Sequence, residues 1–367
     1  MRFLFSLLIL ASLLSYSSCD DDGGGSSTDN FDRAAMLLSW ADQVILPAYA
    51  DFLEKSSELQ TSAQALFDEP DATTLAALKS SFAEAYLGWQ SISLFQIGPA
   101  EQVGLREQVN AYPTNTDGIE ANMQSGSYNF ELPSQRSRQG FPALDYLLYG
   151  SAADETAVLD RIVNEAALRE YILATSERIH QLVSTVRETW VSSYRQEFVS
   201  LSDNTATSSV NRMTNDYVFY YEKFLRAGKV GIPAGIFSGT PLPGHVEALY
   251  NKALGKQLLL AALESAQGFF NGLDNSGVAH GNGFTDYLDF LNTVKDGADL
   301  SQLINTQFEA ARQAINNLDD DLSDQVREDN LLMLTAYDEL QRNVVLIKVD
   351  MLQAFNISVD FVDADGD

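Results

Sequence analysis

The sequence predicts an all-α protein made of two packed bundles of about four helices each. Apolar residues recur at three- and four-residue steps along most of the chain, the spacing of amphipathic helices. Hydrophobic residues make up 45% of the sequence, enough to bury a sizeable core. Apart from a short stretch at 357–362, no run alternates with the period of a strand. The helices fall into two sets, which predicts bundles at 31–203 and 204–362.

Local signals bound the predicted helices. Asp71 is a favourable N-cap residue. Pro142 suits a first helical turn, and Gly150 suits a helix end. Pro47 is expected to kink the first helix. In chain order, the predicted helices cover 31–67, 71–91, 142–150, 155–198, 207–228, 244–271, 285–295, 300–317 and 323–355.

Two stretches rich in proline and glycine, 97–141 and 231–243, interrupt this pattern. The first has no apolar period of its own, which predicts a long irregular loop. Loops of this length inside a compact domain are usually functional or disordered. We therefore expect the two stretches to line a polar crevice where the two bundles meet.

The N-terminus predicts export. Arg2 precedes an uncharged apolar run at 3–14, too short to cross a bilayer, and Cys19 follows. This layout predicts a signal peptide at 1–18, acylation of Cys19 and a flexible lipidated tether at 19–30. The acidic triplet after the cysteine resembles the surface-export signal of Bacteroidetes lipoproteins. The predicted location is therefore the outer membrane, facing the periplasm or the cell surface, with the lipid bilayer as a partner. Ordinary secretion with a spare thiol is the alternative.

The formal net charge of −28 limits the partners. A surface this acidic repels nucleic acid and anionic headgroups, so we exclude DNA and RNA. Cations, basic peptides and metal chelates remain open. Solubility of a surface protein also accounts for the total charge. The last residues, 363–367, are predicted to be a solvated acidic tail.

Common catalytic signatures are missing from the sequence. It has no H-E-x-x-H zinc helix, C-x-x-C pair, phosphate-binding loop or nucleophile elbow. The three histidines, His180, His245 and His280, are widely spaced and make a poor zinc or catalytic set. Cys19 is the only cysteine and is predicted to carry lipid, which excludes thiol catalysis.

The segment Gly140–Gly150, GFPALDYLLYG, is the most informative. It resembles the signature of imelysin-like proteins, in which a G-x-H-x-x-E motif opens a helix and is followed by an aromatic residue, two leucines and a glycine. Further segments that resemble the family follow the same order along the chain: 110–114, 117–120, 231–235 and 243–250.

This resemblance implies an all-helical fold of two bundles with a site at their interface. It also implies a role around the uptake of iron or another metal, and the family carries a peptidase label. The candidate binding residues in these segments are Gly140, Pro142, Asp145, Tyr112, Pro113, Asp117 and Glu247, together with His245, which could reach a common loop pocket with Glu247.

The chain departs from the motif at its two chemical positions. Pro142 stands in place of the histidine, and Asp145 stands in place of the glutamate. Proline can neither bind a metal nor exchange a proton, which weakens a metallopeptidase interpretation. Hard cations need only oxygen donors, so Asp145 and Glu247 remain candidate ligands for iron or another divalent or trivalent cation.

We therefore expect a non-catalytic binding component of iron or metal uptake, whose partner is a metal ion or an iron-uptake protein. The alternatives are a metallopeptidase of the M75 type, and a surface module for adhesion or polysaccharide binding.

Overall fold

A computed structural model describes residues 29–361. The predicted signal peptide, Cys19 and the predicted acidic tail lie outside the described residues. From Phe31 onward the described residues form one compact unit. None of the described helices combines the length and the apolar character that spanning a membrane requires.

The all-α prediction is confirmed, since helices make up nearly all the regular structure of the described residues. The α-helices are α1 (Arg33–Ser39), α2 (Leu46–Asp68), α3 (Ala72–Trp89), α4 (Pro99–Val103), α5 (Leu105–Val109), α6 (Thr116–Ser125), α7 (Gly140–Asp145), α8 (Glu155–Asn164), α9 (Ala166–Thr189), α10 (Arg195–Ser200), α11 (Ser209–Phe219), α12 (Ile232–Ala234), α13 (Gly255–Phe270), α14 (Phe284–Phe290), α15 (Leu300–Asn316), α16 (Leu322–Glu328), α17 (Asn330–Val345) and α18 (Leu352–Ala354).

Several α-helices continue directly into π-helical segments. The π-helix, with hydrogen bonds between residues five apart, is rare in proteins, and where it occurs it is often at a functional site. These segments are Trp40–Ile45, Tyr146–Gly150, Trp190–Tyr194, Tyr220–Gly231 and Leu346–Met351. Two 3₁₀ turns, Pro133–Arg138 and Pro243–His245, and a short antiparallel hairpin, β1 (Val294–Lys295) with β2 (Ala298–Asp299), complete the described elements.

Helix packing follows the two halves of the chain. In the first half, α2 packs against α3 and α9, and α7 packs against α9. In the second half, α15 packs against α13 and α17, and α17 packs against the π-helical segment Tyr220–Gly231. The apolar core is nevertheless continuous across the halves. Trp40 of the first half lies with its ring centroid 5.0 Å from that of Phe269 and 5.1 Å from that of Phe284. The division at residue 203 stays a prediction.

The prediction of one long irregular loop at 97–141 is wrong. That stretch contains α4, α5, α6 and a 3₁₀ turn, each too short to show an apolar period of its own. The helix predicted at 207–228 continues as far as Ala234, and the predicted strand-like stretch near 357–361 forms no strand. The helix predicted from residue 244 begins only at Gly255, for a reason that lies in the site described next.

Candidate functional site

The helix that opens at Gly140 starts against the end of α5. Gly140 has φ +76°, and a β-carbon at this position would lie 2.1 Å from the carbonyl oxygen of Val109. A residue other than glycine would therefore meet both a left-handed backbone and a backbone clash. This close approach brings α7 next to Asn110, the residue that caps α5.

Asp145 ends α7 and is buried, with 1% of its surface exposed. Its carboxylate accepts hydrogen bonds from the backbone N–H groups of Tyr250 (2.9 Å) and Asn251 (2.8 Å). A second contact fixes the same segment, because the Tyr250 ring lies where a β-carbon of Gly150 would be. The carboxylate thus holds the irregular segment 246–254, which we call the seam loop.

These contacts explain why no α-helix forms at 244–254. Two N–H groups that would bond within a helix bond instead to Asp145, and Ala248 adopts φ +53°, which helices do not use. The helix therefore starts only when the chain leaves the carboxylate, at Gly255. The sequence prediction of a helix start at residue 244 is wrong for this tertiary reason.

Burial of Asp145 changes its protonation. Loss of water raises the pKa of its carboxyl group to about 7, and the nearby charge of Glu247 acts in the same direction. The two backbone N–H donors act in the opposite direction because they favour the charged form. A carboxyl group that titrates near neutral pH therefore faces the seam loop.

Glu247, in the seam loop, is also buried, with 2% exposed. One carboxylate oxygen forms an ion pair with the ammonium group of Lys229. The other accepts hydrogen bonds from the side-chain amides of Asn110 (2.6 Å) and Gln90 (3.4 Å). Asn110 in turn accepts a hydrogen bond from the hydroxyl of Tyr86 at 2.7 Å. Both oxygens of Glu247 therefore already have donors from the protein.

Lys229 lies near the end of the π-helical segment Tyr220–Gly231 and is 4% exposed. Burial lowers the pKa of its ammonium group, and the charge of Glu247 acts in the opposite direction. Burial also raises the pKa of the Tyr112 hydroxyl well above its usual range, and Glu247 adds to that shift. Ionisable groups from three separated segments therefore influence one another here.

A cavity of about 200 Å³ lies beside these groups, and we call it the seam cavity. Its walls come from the first half of the chain at 112–116 and 142–145, and from the second half at 244–250. The lining residues are Tyr112, Pro113, Thr114, Thr116, Pro142, Asp145, Gly244, Val246, Ala248, Leu249 and Tyr250. A larger hollow of about 490 Å³ lies between α2, α3 and α13 and contains none of the candidate residues.

The structure brings part of the predicted set together. Tyr112, Pro113, Pro142 and Asp145 line the seam cavity. Gly140 lets the start of α7 lie against the backbone of Val109, and Glu247 lies in the polar network beside the cavity. The two remaining predicted residues do not line the cavity. Asp117 is exposed in the first turn of α6, and His245 is partly exposed in the 3₁₀ turn.

Sequence reasoning missed Asn110, Lys229 and Gln90 as members of the polar network. Lys229 follows a buried apolar stripe, and a charged residue in that place could have indicated a buried ion pair. Lysines near helix ends are usually exposed, however, so the signal was not distinctive. Gln90 carries no local signal, because its partner Glu247 lies 157 residues away in the sequence. Asn110 belongs to the segment 110–114 that resembles the family, but its pairing with Glu247, 137 residues away, has no local signal.

The sequence also matches a known protein-family model. The model described as Peptidase_M75: Imelysin matches residues 45–344. The chain belongs to the imelysin family. The matched region includes α7, Lys229 and the seam loop, so the whole site lies within it.

Relatives and solved structures agree with this membership. Iron-regulated protein A of Synechococcus elongatus is 27% identical over 125 residues, which are 34% of this chain and 33% of that protein. The chain thus matches about a third of the length of this curated relative. The crystal structure of an imelysin-like protein from Psychrobacter arcticum has a TM-score of 0.68 at 20% identity, covering 90% of this chain and 97% of that one. A proposed iron-regulated protein A precursor from Parabacteroides distasonis has a TM-score of 0.74 at 16% identity with the same coverage. Both structures share the fold of this chain.

The donors beside the seam cavity do not fit a resident metal ion. Both carboxylate oxygens of Asp145 accept backbone N–H groups, and Glu247 is paired with the ammonium of Lys229. Across residues 29–361, no three side chains of His, Cys, Asp or Glu come together as a possible metal site. The two carboxylates predicted as ligands in this imelysin-family chain are therefore already bonded to the protein.

Proposed function

We propose that this chain is an exported, non-catalytic binding component of iron uptake, and that it recognises its ligand in the seam cavity. Two similar proteins are named as iron-regulated protein A, which supports the link to iron. Export and anchoring through acylated Cys19 are part of the proposal. They would be detected as fatty acid on the N-terminal cysteine in a mass spectrum of the mature protein.

One observation supports binding over peptide hydrolysis. The motif position that would supply an imidazole is Pro142, which has neither a lone pair nor a proton to offer. A metallopeptidase needs protein ligands for a metal and a base for its water. Here Asp145 and Glu247 already bond to backbone N–H groups and to Lys229. These bonds leave neither carboxylate free to hold a catalytic metal ion.

The cavity wall suggests the chemistry of the ligand. Asp145 contributes a carboxylate, Tyr112 and Tyr250 contribute rings, and Thr114 contributes a hydroxyl. Aromatic rings favour a cationic group, and Asp145 adds to this preference in its ionised form. The acidic surface of the chain attracts cations over long range. We infer that the occupant presents a positively charged group, carried by a small molecule or by a partner protein.

Gly244 allows a direct test. It lines the cavity, and a β-carbon there would meet no atom within 4 Å. Gly244→Phe should therefore fill the cavity without disturbing the backbone, and Gly244→Ala is the matched control. We expect deletion of the gene to slow growth of the native host under iron limitation. Wild type and Gly244→Ala should restore growth, and Gly244→Phe should not.

Three results would contradict the proposal. Full rescue by a Gly244→Phe protein that is folded by circular dichroism would remove the seam cavity from the function. Release of peptides from unfolded substrates that a chelator abolishes would revive the peptidase alternative. Normal growth of the deletion strain at low iron would remove the link to iron uptake.

A further inference from the structure

Four apolar side chains remain exposed where α14, the β-hairpin and the end of α17 meet. They are Phe290 at the end of α14, Val294 in β1, Val345 at the end of α17, and Val349 in the π-helical segment that follows. Each of them keeps between 44% and 56% of its surface exposed. Single exposed apolar residues are common on any protein, whereas neighbouring ones mark a contact with a protein or a membrane. We call this group the apolar face.

Contacts inside the protein hold the members of the apolar face near one another. Lys295, which follows Val294 in β1, forms an ion pair with Asp350, which follows Val349. The hairpin is therefore fixed against the π-helical segment. Val345 lies one turn before Val349 on the same side of that helix, and α14 ends only four residues before Val294. The four side chains thus belong to one region of the surface.

The same region receives the chain from the predicted tether. The ring of Phe31 stacks on that of Tyr287 with a centroid distance of 4.3 Å, and Tyr287 in turn stacks on Phe355 at 4.3 Å. Phe31 also lies edge-on to the ring of Phe290 at 5.4 Å. The chain that comes from Cys19 therefore enters the described body beside the apolar face.

The position of Phe31 indicates what covers the apolar face. Residues 19–30 span at most about 42 Å when fully extended, so an acylated Cys19 keeps the bilayer close to this part of the body. A tether also converts docking into an intramolecular event, for which a small contact area suffices. The exposed carboxylate of Asp296 in the hairpin turn and the net charge of −28 disfavour anionic headgroups. A lipid surface without net charge is therefore the partner that fits.

We propose that the apolar face docks on a bilayer of zwitterionic lipid and thereby holds the seam cavity away from the membrane. This inference rests on the anchoring through Cys19 that is part of the proposed function. It adds a contact between the folded body and the lipid, and with it a fixed orientation of the body.

Helix α17 separates the apolar face from the seam. Its first residue, Asn330, donates a hydrogen bond of 3.0 Å to the carbonyl of Ala234 in α12, which packs against the 3₁₀ turn before the seam loop. The other end of α17 carries Val345, about 21 Å from Leu331 along the helix axis. Docking at one end of this helix therefore leaves the seam, at the other end, in the aqueous phase.

The test uses the mature acylated protein in vesicles of phosphatidylcholine and phosphatidylethanolamine. Cys19 is the only cysteine of the sequence, so an introduced cysteine is the only free thiol once Cys19 carries lipid. Nitroxide groups on the acyl chains should quench at least about half of the fluorescence of a bimane label on Val349→Cys, since interfacial apolar surfaces lie about 5–10 Å into the headgroup boundary. The matched control is Leu331→Cys, whose side chain is 68% exposed at the other end of α17, and its label should stay bright.

A second substitution separates contact with lipid from mere proximity. Val294→Asp adds a charge to the apolar face at an exposed position, where the fold tolerates it. In the labelled Val349→Cys protein it should remove most of the quenching, because a carboxylate is disfavoured in the lipid interface. Leu331→Asp adds the same charge at the other end of α17 and should leave the quenching unchanged. Circular dichroism shows that each variant is folded.

Quenching at Val349→Cys that is no greater than at Leu331→Cys would overturn the proposal, and so would quenching that survives Val294→Asp. A mass spectrum of the N-terminal peptide separates this failure from failure of the proposed function. With fatty acid on Cys19 and no quenching, only the docking of the apolar face is wrong. Without fatty acid, the anchoring itself is wrong, and the membrane contact falls with it. The growth assay with Gly244→Phe tests the seam cavity independently of both.

Discussion

The end of α7 and the seam loop each contribute one buried carboxylate, and the two are stabilised in different ways. Asp145 accepts bonds from neutral backbone donors, and its pKa rises to about 7. Glu247 has the charged donor Lys229 and two amide donors. Both residues are almost fully buried. Because the two carboxylates are equally buried, the difference between them lies in their donors, which are neutral at Asp145 and include an ammonium group at Glu247.

The largest loss of stability is expected from breaking the ion pair between Glu247 and Lys229. Glu247→Ala would leave the buried ammonium of Lys229 without its counter-charge. Removing one partner of a buried pair typically costs about 3–5 kcal/mol. We expect a loss of this size in the free energy of unfolding, measured in urea at neutral pH.

The control for this prediction is Asp51→Ala. Asp51 forms an ion pair with Lys55 on the surface of α2, where both side chains are substantially exposed. Surface pairs contribute about 0–1 kcal/mol, so this variant should change little. If Glu247→Ala costs no more than Asp51→Ala, the buried pair does not stabilise the seam.

A smaller effect is expected from Asp145, whose donors are neutral, and it appears in the pH dependence of stability. The pKa of Asp145 is about 7 in the folded state and 3.8 as an ordinary aspartate. Between these values the folded state keeps a proton that the unfolded state releases. The stability that Asp145 contributes is therefore fully present below about pH 4 and is lost as the pH rises through about 7.

Asp145→Asn removes this titration. The unfolding free energy of the wild type minus that of Asp145→Asn should therefore fall between pH 4 and pH 8, by roughly 2–4 kcal/mol, since one pKa unit corresponds to about 1.4 kcal/mol. Urea unfolding of both proteins across this range measures it. A difference that instead rises with pH would show that the two backbone donors outweigh burial, and the contrast between the carboxylates would disappear.

The two regions also differ in how much the sequence predicts. Helix α3 depends on local signals. Asp71 was predicted as its cap, and in the structure its side chain accepts the N–H groups of Thr73 and Thr74. The motif segment was also largely local. Its helix was predicted at 142–150 and begins two residues earlier, at Gly140, and Gly150 ends the π-helical segment that follows α7.

The seam loop could not be predicted in this way. Its apolar residues have helical spacing, and only Asp145, 105 residues earlier in the sequence, withdraws the N–H of Tyr250 from a helix. The candidate site was predicted in part for the same reason. Pro142 and Asp145 were found through their resemblance to a motif, whereas Lys229 belongs to no motif and is revealed by the fold.

The smallest effect is expected at the outer edge of the Glu247 network. The amide of Gln90 reaches Glu247 at 3.4 Å, a long hydrogen bond, and within residues 29–361 its carbonyl oxygen has no donor. The same amide also donates to the backbone carbonyl of Tyr86 at 3.4 Å. Gln90→Leu would therefore remove two long, weak bonds and a buried unsatisfied acceptor together, and replacing such groups with apolar ones is often nearly neutral. We expect a change within about 1 kcal/mol in the free energy of unfolding.

Asn110→Leu is the contrasting control, because it removes a 2.6 Å bond to Glu247 and the acceptor of the Tyr86 hydroxyl. Hydrogen bonds to charged groups contribute about 1.5–3 kcal/mol, so this variant should lose clearly more. Equal losses from the two variants would mean that Glu247 needs every donor around it. In that case the ammonium of Lys229 would not be the dominant partner, and the distinction between the two buried carboxylates would have to be drawn from the whole network.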